Sequence, residues 1–305
     1  MSKVFFTKDI SQVDKLFDAA GLGKIIEKDD FVALKIHFGE RGNNAFIKPD
    51  RSKPIVKKVK ALKGKPFWVD SNTLYKGSRA DTLSHLQTAF DHGYTSGKTG
   101  AHVLIADGLE GLDRVIKTDA MIAVTHFKGH EVTGFGGAIK NLGMGLASKA
   151  GKLEQHSDCD NCKAKPTCRK KENLESCWVG SSDSVQKKIA DYAAGAAGKF
   201  SAKGGSASGG RNKIAYISFI TDVSENCDCY DHNSEPIVPD IGVLASFDPV
   251  AIDQACVDLV NKTEGRIKSN DKFKEIWPNV NWETQLKHAE EIGLGTRKYE
   301  FIPLN

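Results

Sequence analysis

Short apolar runs alternate with helical patterns in the first part of the chain, and this alternation constrains the fold most strongly. Four runs rich in β-branched or aromatic residues are typical of strands: FVALKIHF (31–38), PFWVD (66–70), HVLIAD (102–107) and AMIAVTH (120–126). Strands separated by helices usually pair in parallel, because the crossover helix packs back onto the sheet. We therefore predict an α/β fold with a mostly parallel sheet covered by helices.

Helical patterns fill the segments between these strands, at 11–28, 53–64 and 79–93. In the segment 53–64, apolar residues recur one turn apart while lysines occupy the opposite face. Asp70 and His126 fall where predicted strands end, and ligands bind at that edge of open α/β sheets. The sequence thus predicts a ligand site at the carboxyl ends of the strands.

The composition changes after residue 155. We divide the chain into a first α/β part (1–155), a small cysteine-rich metal-binding insert (156–178) and a second α/β part (179–305). Glycine and serine dominate the stretch 201–213, which predicts a flexible surface loop.

Strand and helix patterns return in the second α/β part. Strands are predicted at 214–220 and 241–246, and a helix at 248–262. Asp248 suits the N-cap of this helix and Pro249 suits its first turn. The second part is therefore expected to extend the same kind of fold.

Charge and composition exclude some classes of protein. The chain has 305 residues and a net charge of +4, with both signs spread along it, which disfavours nucleic-acid binding. No apolar run is long enough to span a bilayer, and the first residues do not resemble a signal peptide. We therefore expect a cytoplasmic protein whose seven cysteines are ligands rather than disulfides.

Four cysteines fall within the lysine-rich insert, with a C-x2-C-x5-C-x8-C spacing. They are Cys159, Cys162, Cys168 and Cys177. The insert has almost no aliphatic residues, so a bound metal would supply the cohesion that a core cannot. The spacing differs from zinc ribbons and from bacterial ferredoxins, and the residues alone fit a [4Fe–4S] cluster or zinc. Reduced surface thiols are the alternative.

A second pair of cysteines, Cys227 and Cys229, is separated by one residue. On a strand both side chains would point to one face and Asp228 to the other. Asp231 and His232 follow closely, so this segment is either a second metal or redox site or a turn with two incidental thiols.

The glycine-rich stretch FGGAIKN (135–141) has the composition of a ligand-binding turn ahead of a helix. Gly134, Gly136 and Gly137 would let the backbone approach a ligand and direct N–H groups at it. Lys140, one turn into the following helix, would add a positive charge for a phosphate or carboxylate, with Asn141 beside it. The stretch predicts binding of a small anionic ligand or cofactor.

Polar side chains precede this turn and recur in an earlier segment. His126, Lys128 and His130 would share one face of an extended segment, and neutral imidazoles suit metal binding or proton transfer. The matching set at 35–42 consists of Lys35, His37, Glu40 and Arg41. We predict that the two segments face each other across one pocket, with His126, His130, Lys128 and His37 as candidate catalytic residues.

Three further residues are expected to contribute to this pocket: Asp70, Asn72 and Tyr75. The alternative is that these residues are structural, because a glycine-rich loop is more often only a tight connection and a single histidine at a strand end usually has no function. The concentration of histidine, lysine and glycine in two segments favours a pocket instead.

Long segments of the sequence resemble domain-of-unknown-function family 362, whose members are usually described as uncharacterised iron–sulfur-centre proteins. The segments that carry the resemblance are KIHFGERGNNAFIKP (35–49), VDSNTLYKGSRADTLSHLQTAFDHGY (69–94), IADGLEG (105–111), HFKGHEVTGFGGAIKNLGMGLASKAGKLEQHS (126–157) and CDCYDHNSEPIVPDIGVLASFDPVAIDQA (227–255). The resemblance implies a 4Fe-4S cluster on the insert cysteines, with zinc as the alternative. Family members commonly carry a longer, ferredoxin-like insert, so one cluster at most is expected here.

A shorter segment, GFGGAIKNLGMGLAS (134–148), resembles the nickel-pincer lactate racemase family. In that family, too, a histidine precedes a glycine-rich run that contains a lysine. This resemblance implies isomerase or hydride-shuttle chemistry, with His126 or His130 as the acid/base and Lys140 holding a cofactor phosphate.

Three functions follow from these observations. The first is a cytoplasmic iron–sulfur metalloprotein with a pocket for an anion or cofactor, an oxidoreductase if it is an enzyme, with an electron-transfer protein as partner. The second is a zinc-stabilised binding or assembly protein without catalysis. The third is the racemase-like enzyme. The sequence names no substrate, and it contains no Walker loop, dinucleotide fingerprint or H-E-x-x-H motif.

Overall fold

The computed structural model of the chain describes residues 1–107, 118–173, 175–201 and 212–304. Most of the predicted glycine- and serine-rich loop at 201–213 lies outside the described residues, as does part of the segment 105–111.

The strands and helices alternate along the chain as the apolar runs predict. The strands are β1 (Ser2–Thr7), β2 (Phe31–Lys35), β3 (Lys65–Asp70), β4 (His102–Ile105), β5 (Ala120–His126), β6 (Lys128–His130), β7 (Gly134–Gly136), β8 (Ile214–Ile220), β9 (Gly242–Ser246) and β10 (Tyr299–Pro303). The helices are α1 (Val13–Ala19), α2 (Pro49–Ala61), α3 (Thr82–Asp91), α4 (Ser96–Thr99), α5 (Ala138–Gly143), α6 (Lys149–His156), α7 (Lys170–Asn173), α8 (Ser182–Gly198), α9 (Pro249–Lys262), α10 (Lys272–Ile276) and α11 (Glu283–Glu291).

The main sheet has eight strands within the described residues, in the order β10-β1-β9-β8-β5-β2-β3-β4. The five adjacent strands β8, β5, β2, β3 and β4 are all parallel, and β9 is antiparallel to both of its neighbours. The predicted mostly parallel α/β fold is confirmed. Strands from before and after the insert join this one sheet, while β6 and β7 form a separate hairpin.

The sheet has a topological switch point between β2 and β5. From β2 the chain adds β3 and β4 outward on one side, and it then returns to place β5 on the other side of β2. Diverging connections open a crevice at the carboxyl ends of the two strands, where ligands bind in open α/β sheets. Lys35 ends β2 and His126 ends β5, so the switch point lies beside the predicted polar side chains.

Helices bury both faces of the sheet. Along β2, Ala33 packs in a core with side chains of α5, α8 and α9, whereas Val32 and Leu34 pack on the opposite face with side chains of α1 and α2. Successive strand residues point to opposite faces, so two buried faces require continuous apolar runs. This is why β2 and β5 are continuously apolar up to their polar last residues rather than alternating.

Helix ends follow local chemistry. Asp248 caps α9 as predicted: one carboxylate oxygen accepts from the N–H groups of Val250 and Ala251 at 2.9 and 3.0 Å. The single helix predicted at 11–28 is wrong, because α1 ends before Gly21, which has a φ of +69°, and a short 3-10 turn follows.

None of the helices in the described ranges has the length and apolar content that crossing a membrane requires.

Candidate functional site

A cavity of about 160 Å³ lies at the switch point of the sheet. The sequence-predicted residues that line it are Lys35, His37, Asp70, Tyr75, Lys128, His130, Gly136, Gly137, Lys140, Asn141, Cys227 and Cys229. Both predicted segments therefore contribute to one pocket, together with the Cys227 segment. The remaining predicted residues lie behind its wall or away from it.

A buried carboxylate, Asp228, fixes one wall of this pocket. Its two oxygen atoms lie 3.0 Å from His126 Nδ1 and 3.1 Å from Lys128 Nζ, and one of them lies 3.5 Å from His37 Nδ1. Although burial opposes ionisation, Lys128 and the two histidines hold the pKa of Asp228 well below its usual range. Asp228 is therefore a buried anion that joins two distant segments of the chain, one with His37 and the other with His126 and Lys128.

His126 is part of this support rather than of the cavity surface. Its Nε2 atom lies 2.7 Å from the carbonyl oxygen of Thr221, and the residue is 2% exposed. Its Nδ1 atom lies against the Asp228 carboxylate without hydrogen-bond geometry, and His126 does not line the cavity. A direct catalytic role for His126 remains a prediction that the geometry does not favour.

A second buried carboxylate, Asp70, organises the opposite wall. It lies 3.0 Å from Lys35 Nζ, 3.5 Å from Arg79 and 3.5 Å from His85. Lys35 also donates to Asn141 Oδ1 at 2.9 Å, which ties the end of β2 to α5. Burial lowers the pKa of Lys35, and Asp70 opposes this.

Three side chains at the pocket form a group that could hold a metal ion. A nitrogen of His37 and the sulfur atoms of Cys227 and Cys229 all lie within 4.8 Å of one another. Burial, ahead of the positive charge of Arg79, lowers the pKa of His37 to about 3, so its imidazole is neutral at physiological pH. Neutral imidazole and thiolate are the ligand forms that transition metals require.

Positive charge beside the Cys227 sulfur favours its thiolate form. Lys140 Nζ lies 4.0 Å from this sulfur, and Lys128 is also close. A hydrogen bond from the Cys229 thiol, opposed by burial and assisted by Lys140 and Lys128, lowers the pKa of Cys227 to about 5. The sequence left open a metal site or a turn here, and the structure shows a turn whose two thiols line the pocket.

Hydrogen bonds within this turn, and from Glu40 and Tyr75 to it, hold it in place. The amide of Tyr230 donates to the carbonyl oxygen of Cys227 at 3.2 Å, and the amide of Glu40 donates to that of Asp228 at 2.8 Å. Tyr75 Oη donates to the carbonyl oxygen of Cys229 at 3.2 Å and accepts from Arg79 at 2.6 Å. These hydrogen bonds fix the positions of the two thiols without a bound metal ion.

The other histidines of the pocket are also neutral. Burial, ahead of Lys140, holds the pKa of His130 well below its usual range, and burial lowers that of His156 to about 4. The Nδ1 atom of His130 accepts from the N–H groups of Val132 and Thr133. His130 thus lines the pocket as a neutral ring, and its catalytic role stays a prediction.

The glycine-rich turn has a packing role in the structure. A Cβ atom on Gly134, whose φ is +74°, would lie 2.4 Å from Trp282, and one on Gly137 would lie 2.3 Å from the Asp253 carboxylate. That carboxylate accepts from the N–H groups of Ala138 and Ile139 at 2.6 and 3.0 Å. These amides are therefore not free for an external anion, and ligand binding by the glycines stays a prediction.

Three other predicted residues do not line the cavity. Glu40 lies behind the wall, where it pairs with Arg79 at 3.3 Å and accepts from Ser78. Arg41 points to solvent and pairs with Asp91 at 3.2 Å. Asn72 is buried and contacts His85. Glu40 therefore positions a pocket residue, whereas Arg41 takes no part in the pocket.

The insert cysteines lie outside this group. Cys168 is exposed and Cys159, Cys162 and Cys177 are partly exposed. In the part of the chain that the structure describes, no three of them come within 4.8 Å of one another. The insert does reach the pocket, since Trp178 lines it next to His156. Their role as cluster ligands stays a prediction.

Sequence reasoning missed several residues of the site. Arg79, Ser71 and Lys152 all line the cavity, and Asp228 is buried behind its wall. The position of Asp228 between two cysteines could have indicated its role. The position of Ser71 directly after the end of β3 could have indicated that it lies at the pocket. Arg79 begins the helix predicted at 79–93, and Lys152 lies in a segment for which no helix or strand was predicted, so neither position indicated a site.

Comparisons with known proteins agree with the family resemblance. A family model described as Domain of unknown function (DUF362) matches residues 32–258. No curated protein matches the chain. One similar solved structure is the lactate racemase apoprotein from Thermoanaerobacterium thermosaccharolyticum, with 16% identity and a TM-score of 0.41 over 73% of this chain and 51% of that one. The chain thus spans about half the length of that protein, and so low a similarity supports no functional assignment.

Proposed function

The chain belongs to the family described as Domain of unknown function (DUF362), and on that premise we propose that it is a metalloprotein that binds a small anionic molecule. His37, Cys227 and Cys229 hold one metal ion at the wall of the cationic pocket. The observation that carries the proposal is the approach of these three ligand atoms to within 4.8 Å of one another in that wall.

The donor set indicates the kind of metal. The neighbouring Cys227 thiolate and burial raise the pKa of Cys229, so metal binding has to release its proton. The resulting two thiolates and one imidazole suit zinc and other borderline or soft transition metals, and they exclude magnesium and calcium, which prefer oxygen ligands. Three protein ligands leave one tetrahedral position open, as in catalytic rather than structural zinc sites. The metal supplies Lewis-acid polarisation of an oxygen atom on the bound molecule.

Fixed cations around the metal group favour an anionic ligand. Lys35, Arg79 and Lys128 each lie within 3.5 Å of a buried carboxylate, which offsets much of their charge. Lys140 has no carboxylate within 4.0 Å among the described residues, and its neighbour is the Cys227 sulfur. Its charge is therefore available to a phosphate or carboxylate bound at the metal.

We expect Lys140→Met to weaken binding of inorganic phosphate by about tenfold, the loss of one charge-assisted contact worth about 1.4 kcal/mol. Calorimetric titration of the zinc-loaded protein measures this. Lys187→Met removes an exposed lysine from α8 and is the matched control, with no expected change. Equal phosphate affinity of the wild type and Lys140→Met would contradict the proposed ligand site.

The insert adds a redox-linked part to the proposal. Cys159, Cys162, Cys168 and Cys177 hold a [4Fe–4S] cluster that exchanges electrons with a partner protein, supported by the thiol spacing and the family resemblance. Lys171 lies beside the Cys159 sulfur, and cations stabilise clusters with net negative charge. The seven cysteines are all free, which supports a cytoplasmic location.

Protein purified without oxygen is expected to contain four iron and four sulfide per chain, as a [4Fe–4S] cluster requires, and to be brown. Metal and sulfide analysis with a visible spectrum checks this. Stoichiometric zinc without colour would instead support a zinc-stabilised insert, and it would remove the redox part while leaving the His37 group in place.

A further inference from the structure

Lys152 lines the pocket, but unlike Lys35, Arg79 and Lys128 it has no carboxylate partner within 4.0 Å among the described residues. It is 6% exposed and lies on α6. Its Nζ atom donates to Ser71 Oγ and to the carbonyl oxygen of Ala147, both at 2.6 Å. Among the described residues no carboxylate oxygen lies within 4.0 Å of it, so the ammonium form is buried against uncharged oxygen atoms only.

This environment makes the neutral amine easier to form than on an exposed lysine. Burial lowers the pKa of Lys152 to about 8, with Lys35 and Arg79 adding to the effect and Asp107 and Asp70 opposing it. A neutral amine has two N–H bonds and one lone pair. Both N–H bonds are directed to Ser71 and Ala147, which leaves the lone pair for an electrophile in the pocket.

We propose that Lys152 captures the carbonyl carbon of a 2-oxo acid as an imine. The Nζ–C bond forms first, giving a carbinolamine. The carbon–oxygen bond then breaks, and the oxygen leaves as water with the two amine protons, while Ser71 Oγ is placed to pass a proton.

The pocket supplies the other features that a 2-oxo acid needs. Lys35 and Arg79 line the same cavity as Lys152 and bring positive charge to it, part of which Asp70 offsets, so this side of the cavity suits the carboxylate on the adjacent carbon. Five apolar side chains also line the cavity and suit an apolar tail: Leu74, Val132, Met144, Val185 and Ile189. The choice of an anion rests on the proposed function, but the imine does not require the metal.

Reductive trapping tests this inference on metal-free protein. Wild type, Lys152→Met and Lys187→Met are incubated with pyruvate and cyanoborohydride, which reduces imines, and the labelled peptides are identified by mass spectrometry. We expect one dominant label on Lys152 in the wild type and in Lys187→Met. We expect at least tenfold less total label in Lys152→Met, and also when acetone, which lacks the carboxylate, replaces pyruvate.

The pH profile is a second readout, which stays informative if Lys152→Met does not fold. Labelling of wild-type Lys152 is expected to rise with pH and level off just above pH 8, as the amine loses its proton, whereas exposed lysines continue to gain label towards their ordinary pKa of about 10.4. Label spread over exposed lysines with none on Lys152 would overturn the inference. Because the protein is free of metal, that result would leave the metal proposal untouched.

Discussion

Replacing Cys227 by serine is expected to weaken zinc binding at the His37 group by more than about 100-fold. Replacing a residue that only orients a metal ligand typically lowers metal affinity 10- to 100-fold, and Cys227 is itself a proposed ligand. The Cys227 sulfur is buried, and nearby lysines stabilise its thiolate. A serine hydroxyl stays protonated at the same position, so the metal would lose a charged ligand and keep two. Competition with a chromophoric chelator measures the affinity.

The insert cysteines are replaced by serine in all proteins of this experiment, so that only one thiol-containing site remains near the pocket. His232→Gln is the control, because His232 follows the same turn but its side chain is 67% exposed. Its zinc affinity is expected to equal that of the parent protein. If Cys227→Ser bound zinc as tightly as the parent, Cys227 would not be a ligand.

Asp228→Asn is expected to lower the free energy of unfolding by about 3 kcal/mol, because removing one partner of a buried ion pair leaves the other charge buried without compensation. The carboxylate is 1% exposed and lies within 3.1 Å of both His126 and Lys128. An amide has nearly the same shape but no charge, so Lys128 would remain buried without its counterion. Urea denaturation measures the change.

Asp231→Asn is the matched control for this variant. Asp231 lies three residues further along the same segment, and its side chain is 79% exposed. Pairs of exposed charges contribute little, so we expect a change below about 0.5 kcal/mol. A stability of Asp228→Asn equal to that of this control would show that Asp228 does not hold the wall of the pocket together.

The sequence was sufficient to predict the parallel strands of the sheet and the edge at which the pocket lies. Apolar runs such as 120–126 are buried on both faces and therefore carry an unambiguous strand signal. Their polar last residues, Asp70 and His126, indicate the edge directly. By contrast, β1 and β10 were not predicted. They lie at one side of the sheet, where most of their residues are half-buried or exposed, and so they have no comparable apolar run.

The inner arrangement of the site was only partly predictable. His126 and Lys128 were identified, but their roles depend on Asp228, which comes about 100 residues later and reaches them only through the turn at 227–230. The preferred sites for metal were the insert cysteines, because four thiols in a short segment give a strong sequence signal. The group of Cys227, Cys229 and His37 combines distant residues, and only the fold reveals it.

Cobalt spectroscopy tests most directly whether the pocket cysteines hold the metal. Two proteins are loaded with one equivalent of Co²⁺ without oxygen: one lacks the four insert cysteines, and the other carries Cys227→Ser and Cys229→Ser. We predict thiolate-to-cobalt charge-transfer absorption and tetrahedral d–d bands in the first protein, and a shift of the d–d bands when phosphate is added. Absence of thiolate absorption in the first protein, with full absorption in the second, would contradict a metal centre at His37, Cys227 and Cys229.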